Sequence, residues 1–357
     1  MPSPVRKTLA GLRPYTATDA ANAVDLSDNT NLWGTPPLAL AAIGNLQAAA
    51  LSRYPTTPPT ALNEALGRYA GVSPDMIVTG CGSDDLIDCA MRAFAEPGDM
   101  IAMAVPTFSM VPVFATINGL RVHMVPLSPT FDVDVDALLA PRPAIVYLCS
   151  PNNPTGTALP LSTIARVVRE APGVVLLDEA YGEFTAAPGF SLVKEHDHVV
   201  ITRTLSKAFG LAGLRIGYAV LASALAQALA TVRGPYKLNV AAEAAALAAV
   251  TGDVAWVRDR AAEAATNRDR LGVVLRSAGL APLPSESNFV CVPCRAAADV
   301  AQRLLRRGFA VRVLTGLPRI TDSLAASQGA ALRITVGPWP LMERFAAAFQ
   351  EECATCV

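Results

Sequence analysis

Between Asn63 and Leu221 the chain repeats one pattern: a short, nearly uninterrupted apolar run, then a stretch with helical periodicity. The runs are Met76–Gly80, Met100–Pro106, Arg121–Leu127, Ala144–Pro151, Gly173–Tyr181, His198–Thr204 and Arg215–Leu221. Helical patterns fall at Ala61–Tyr69, Ser83–Phe94 and Leu161–Glu170. A strand that is apolar on both faces has to be covered on both faces. Strands alternating with helices achieve this as a mostly parallel α/β sheet flanked by helices.

After about Ala241 the texture changes. Ala241–Ala278 reads as almost unbroken helix with charges on one face. Asn288–Pro293, Ala310–Leu314 and Leu332–Gly337 read as strands, with a helix over Ala296–Arg307 and another from Pro340. This is a smaller α+β unit. The expected division is an N-terminal segment (1–35), a large domain (36–245) and a small C-terminal domain (246–357), with Pro55–Pro59 as a connection.

The chain has 357 residues, room for about two domains. With 52% hydrophobic and 17% charged residues it can bury a core, which excludes a disordered chain. The net charge is −1 with no dense basic run, so no nucleic-acid surface is expected. Two uncharged stretches, Met100–Leu120 and Ile216–Val232, carry Pro106, Pro112, Asn118, Ser223 and Gln227, and read as buried segments of a soluble fold, not membrane spans. Seven scattered cysteines argue against a disulfide framework. No apolar leader is seen at the start, so the expected location is the cytoplasm.

Four motifs carry chemistry, and each follows an apolar run. In Thr204–Tyr218 a lysine, Lys207, lies among hydroxyls (Thr204, Ser206) with Arg215 eight residues on. A desolvated lysine amine can form a Schiff base with a carbonyl, and the hydroxyls and guanidinium can hold a phosphate. In Val174–Phe184, Asp178 ends an apolar run, where ligands of parallel sheets bind; a protonated pyridine nitrogen is a cation that would match it. In Cys149–Thr157, Asn153 sits in a Pro/Gly turn, where its amide can donate to a phenolate oxygen. In Thr79–Asp85, glycines before a helix let backbone amides cradle a phosphate. It is neither a Walker nor a dinucleotide-binding loop.

Taken in order, these motifs resemble the fold-type I pyridoxal-phosphate enzymes of the aminotransferase class I and II family, and within it the histidinol-phosphate aminotransferases. The resemblance runs from Leu12–Tyr15 to Leu332–Gly337. It implies a large domain with a mostly parallel sheet, a smaller α+β domain, pyridoxal 5'-phosphate as cofactor, and ping-pong amino transfer to a 2-oxo acid such as 2-oxoglutarate. Lys207 would hold the cofactor and then act as general base. Asp178 would pair with the pyridinium, and Asn153 and Tyr181 would bind the phenolate oxygen. Phe108 stands where the family has a ring-stacking tyrosine. Gly82, Ser83, Asp84, Thr204, Ser206 and Arg215 would hold the phosphate. Tyr54 would reach the cofactor of a neighbouring subunit, which implies a homodimer. Arg333 would bind the acidic group of the substrate and Arg312 a substrate phosphate. Tyr15, Asn29, Tyr236 and Asn239 fall at other substrate-side positions.

Asp28–Gly34 departs from the family pattern: Thr30 replaces a glutamate, Leu32 a proline, and Trp33 is unusual. Trp33 would wall an aromatic or apolar side chain. The implied donor is therefore histidinol phosphate, in histidine biosynthesis, or else an aromatic or specialised amino acid. A related branch decarboxylates threonine phosphate with the same cofactor residues. Two CxxC pairs, Cys291–Cys294 and Cys353–Cys356, and the cluster His196-Asp197-His198 have metal-like spacing, but no metal is expected.

Overall fold

The computed structural model describes residues 5–16, 18, 20–185 and 189–353. Its strands are β1 (Val24–Leu26), β2 (Ile77–Gly80), β3 (Met100–Val105), β4 (Arg121–Pro126), β5 (Ile145–Cys149), β6 (Val174–Asp178), β7 (Val199–Thr204), β8 (Gly217–Leu221), β9 (Phe289–Pro293), β10 (Phe309–Leu314) and β11 (Ala331–Thr335).

Seven of them form one sheet in the order β2-β8-β7-β6-β5-β3-β4. β8 runs antiparallel to both neighbours, and the remaining pairs are parallel. Side chains alternate across it as period two requires. Val146, Leu148, Val175, Leu177 and Ile201 face one core, with the helices Thr60–Ala70, Leu161–Glu170 and Val240–Gly252. Ile145, Tyr147, Leu176 and Val200 face the other, under the helices Ser83–Phe94 and Ser223–Val232. Both faces are covered, so the strands are apolar throughout. The order turns back between β3 and β5: β4 lies outside β3, whereas the next strand pairs on its other side. Such a switch point opens a crevice beyond the carboxyl ends of the strands.

The second sheet has the order β1-β10-β11-β9. β1 pairs with β10 in parallel, Leu26 opposite Val311, so the N-terminal segment is built into the far end of the chain. Leu271, Leu275, Val300, Leu304, Phe345 and Phe349 cover this sheet.

The unbroken helix expected over Ala241–Ala278 is two helices, Val240–Gly252 and Val254–Ser277, bent by 80°. Asp253 sits at the break, 4% exposed. Its carboxylate accepts the backbone N–H of Leu38 and of Ala39, each at 3.0 Å. Those groups open the helix Pro37–Gly44, which has no side-chain cap of its own. The break delivers an anion to the positive end of another helix. Met100–Leu120 forms β3 and the short helix Met110–Ile117, and among the described residues no single helix is long and apolar enough to cross a membrane.

Candidate active site

At the crevice a cavity of about 720 Å³ opens. The carboxyl ends of β5, β6 and β7 supply its floor, each strand ending where its chemical motif begins. Ser83, Asp84, Phe108, Asn153, Asp178, Tyr181, Thr204, Ser206, Lys207 and Arg215 all line it. The small sheet contributes Arg312 and Arg333, and the N-terminal segment Tyr15, Asp28 and Asn29.

Lys207 lies in the loop after β7. Its side chain lines the cavity, and its amine donates to the backbone carbonyl of Asp28 at 2.7 Å. Burial, with Arg333 in support, pulls this amine down to about 8, so a far larger minority of it is neutral near neutral pH than of an ordinary lysine. Gly210 shapes the loop. Its φ is +63°, and a Cβ there would stand 2.3 Å from the Gly34 carbonyl oxygen. Asn31 fastens the same loop through the carbonyl of Ala208 at 2.8 Å.

Asp178 is 3% exposed and lines the cavity, and among the described residues no cation is one of its hydrogen-bond partners. Burial pushes its carboxyl up to about 6, while the Tyr147 hydroxyl and the Ala180 N–H pull it back. A cation set beside it would restore its charge. Tyr181 accepts a hydrogen bond from the Asn29 amide at 2.8 Å, which leaves its own proton free. The Asn153 carboxamide oxygen is taken by Arg333, so its NH2 end is the one left over.

The anion cradle is built from glycine. Gly82, at φ +83°, opens the helix Ser83–Phe94, and a Cβ on it would lie 2.6 Å from the Arg215 guanidinium. A Cβ on Gly217 would lie 2.5 Å from the Ser83 nitrogen. Two bare backbones and an arginine thus converge at a helix N-terminus, with the Ser206 hydroxyl 3.3 Å from Arg215. This set fits the phosphate, ring nitrogen and ring oxygen of pyridoxal phosphate.

On the small sheet Arg312 and Arg333 are direct cross-strand partners. Arg333 is 9% exposed, and its Nε is buried without a hydrogen-bond partner. Arg312 lies 5.5 Å over the Tyr15 ring. Two like charges side by side repel, and a bound anion relieves them.

Several expected residues stand elsewhere. Trp33 is half-buried, and neither it nor Thr30 lines the cavity; the Thr30 hydroxyl bonds Asp28. Only Asp28 and Asn29 of that segment reach inward, because Asn31 and Trp33 turn back onto the chain through their own hydrogen bond. Asn239 is outside the lining too. Its side chain accepts the Ala242 N–H at 2.8 Å and caps the helix Val240–Gly252. Tyr54 and Tyr236 stack on each other at 4.4 Å on the surface, outside the cavity.

Three features escaped the sequence reading: the Asp28 carbonyl, Tyr147, and a buried ion cluster. Arg203, 1% exposed, binds Glu179 at 2.7 Å and Glu183 at 2.8 Å. It ties β7 to the turn that carries Asp178 and Tyr181. A charge inside a mostly apolar run was the available signal, since a buried arginine needs partners.

The metal-like clusters are otherwise engaged. Cys291 packs with the large core and Cys294 with the small one, and burial pushes the Cys291 thiol up to about 12. His198 bonds the Val168 carbonyl. Among the described residues no three His, Cys, Asp or Glu side chains are grouped to hold a metal. Cys356 and the Cys353 side chain lie outside the described residues.

Residues 21–349 match the family described as aminotransferase class I and II. The chain belongs to that family. It is a pyridoxal-phosphate-dependent aminotransferase. A histidinol-phosphate aminotransferase from Granulibacter bethesdensis is 40% identical over 329 residues, covering 88% of this chain and 85% of its own. One from Limosilactobacillus fermentum is 37% identical, covering 88% and 86%. Among solved structures, the histidinol-phosphate aminotransferase of Sinorhizobium meliloti in complex with pyridoxal-5'-phosphate is 28% identical, with a TM-score of 0.87 over 99% of this chain and 98% of that one.

Proposed function

We propose that this aminotransferase takes its amino group from histidinol phosphate and passes it to a 2-oxo acid such as 2-oxoglutarate, a step of histidine biosynthesis. The observation that carries the reading is the cross-strand pair Arg312 and Arg333, two guanidiniums on one wall of the cavity. A phosphate is the anion that two arginines bind best. The relatives' names support the same donor. Phe108, Met110, Phe114, Met124, Leu314 and Leu317 give the cavity an apolar flank suited to a ring.

In this reading Gly82, Ser83, Thr204, Ser206 and Arg215 hold the cofactor phosphate. Asp178 would pair with the ring nitrogen, Phe108 would stack on the ring, and Asn153 and Tyr181 would bind its oxygen. When bound, pyridoxal phosphate supplies an electron sink that acidifies the Cα–H bond of an attached amine. Lys207 Nζ removes that proton and returns it on the other side of the transfer. Its lowered proton affinity keeps a neutral amine available for this. Histidinol phosphate carries no α-carboxylate, so proton loss, not decarboxylation, is the reaction open to it. An aromatic amino acid as donor loses its support with Trp33 outside the cavity.

A homodimer belongs to the same reading. The Tyr54–Tyr236 stack is exposed, which leaves Tyr54 available to a second copy's cofactor phosphate. The buried thiols of Cys89, Cys149 and Cys291 agree with the reducing cytoplasm.

Steady-state kinetics with histidinol phosphate and with histidinol test the donor. Losing the phosphate should lower kcat/KM by about a hundredfold, because the two arginines then lose their anionic partner. Equal kcat/KM for the two amines would overturn the phosphate assignment.

A further inference from the structure

We infer that Tyr147 is a positioning residue for the reaction: its hydroxyl, reaching diagonally across two strands, orients the Asp178 carboxylate and holds it in its ionised form. The inference rests on the proposed pairing of Asp178 with the cofactor's ring nitrogen.

The sheet register explains the reach. Cys149 on β5 lies opposite Asp178 on β6, and Tyr147 lies opposite Leu176. Tyr147 and Asp178 are therefore diagonal neighbours on one face. Such neighbours are about 7–8 Å apart at the backbone, a gap that only a long side chain closes. The side chain directly opposite is a small cysteine, which leaves the path open. The Tyr147 hydroxyl arrives 2.8 Å from Asp178 Oδ2.

The surroundings of Tyr147 offer the hydroxyl one other polar neighbour, the weakly hydrogen-bonding Cys149 thiol. The residue is 1% exposed and packs in an apolar cluster with Ile101, Met103, Leu176 and Val200. A phenylalanine would fill that space equally well. Burying a hydroxyl is costly unless it is bonded, and its acceptor here is the carboxylate.

The three donors divide the carboxylate. Tyr147 serves Oδ2, whereas Oδ1 takes the Ala180 N–H at 3.1 Å and the Thr202 hydroxyl at 3.4 Å. The Oδ2 contact is the shortest. Removing it frees that oxygen to rotate and makes protonation easier, and a protonated Asp178 no longer attracts a pyridinium.

The test is a double-mutant cycle on cofactor binding, read by titrating the apoenzyme with pyridoxal phosphate up to millimolar concentration. Tyr147→Phe should weaken binding about tenfold, the scale of one hydrogen bond to a charged group. In an Asp178→Asn background the same change should have little effect, because the charge it serves is gone. Unchanged affinity in Tyr147→Phe overturns the inference. So does an equal loss in both backgrounds, which would mark packing as the cause. If Asp178→Asn alone binds as well as the wild type, the ring-nitrogen pairing itself fails; if only Tyr147→Phe is silent, that pairing stands and the role of Tyr147 falls.

Discussion

Lys207 is useful to the reaction only as a free amine, and its surroundings decide when that holds. Burial first, and the Arg333 charge second, lower its proton affinity to about 8. Below that pH the protonated form dominates, and above it the neutral one. The rate at which apoenzyme captures pyridoxal phosphate should therefore rise with pH through about 8 and level off beyond it. A rate still climbing at the ordinary lysine value, about 10.4, would show that the amine is not desolvated. Lys207, Asp178, Asn153 and Arg215 could be picked out in the sequence because each stands at or near an end of an apolar run, beside a turn. Tyr147 could not, because it stands inside such a run, where alternation reads as plain core; the charge of Arg203 was a signal, but its partners Glu179 and Glu183 lie beyond the end of another strand. Trp33 misled for the opposite reason. Its size drew notice, but backbone turns decide which side of a segment faces the cavity.

Among the elements, the strands of the large sheet were legible to within a residue or two at most ends, since both faces are buried and the apolar runs are continuous. The three-residue β1 was not. It exists because β10 offers an edge, which no local pattern announces. The break at Asp253 escaped as well. Alanine-rich sequence on both sides favours helix, and the compensation lies in the distant helix Pro37–Gly44. This makes the break testable. Asp253→Ala should cost about 1–3 kcal/mol in denaturant unfolding, because two helix-opening N–H groups lose a charged acceptor. An unchanged midpoint would mean that these bonds contribute nothing net.

At the scale of the whole molecule the site is a meeting of distant pieces. Asn29 bonds Tyr181 across 152 positions of sequence and Thr335 across 306. Arg333 reaches Asn153 and the Ser27 carbonyl, so the small sheet, the large sheet and the N-terminal segment share one hydrogen-bonded seam. The sequence carried the roles of these residues only through family resemblance, because no local pattern encodes contacts of that length. The seam places two arginines opposite the Lys207 loop, and the donor assignment depends on that facing. The most direct test adds histidinol phosphate to the cofactor-loaded enzyme with no 2-oxo acid present, and follows the visible absorbance of the bound cofactor. The account predicts stoichiometric loss of that absorbance and its return when 2-oxoglutarate is added. No change with histidinol phosphate, or a loss that 2-oxoglutarate does not reverse, would contradict it.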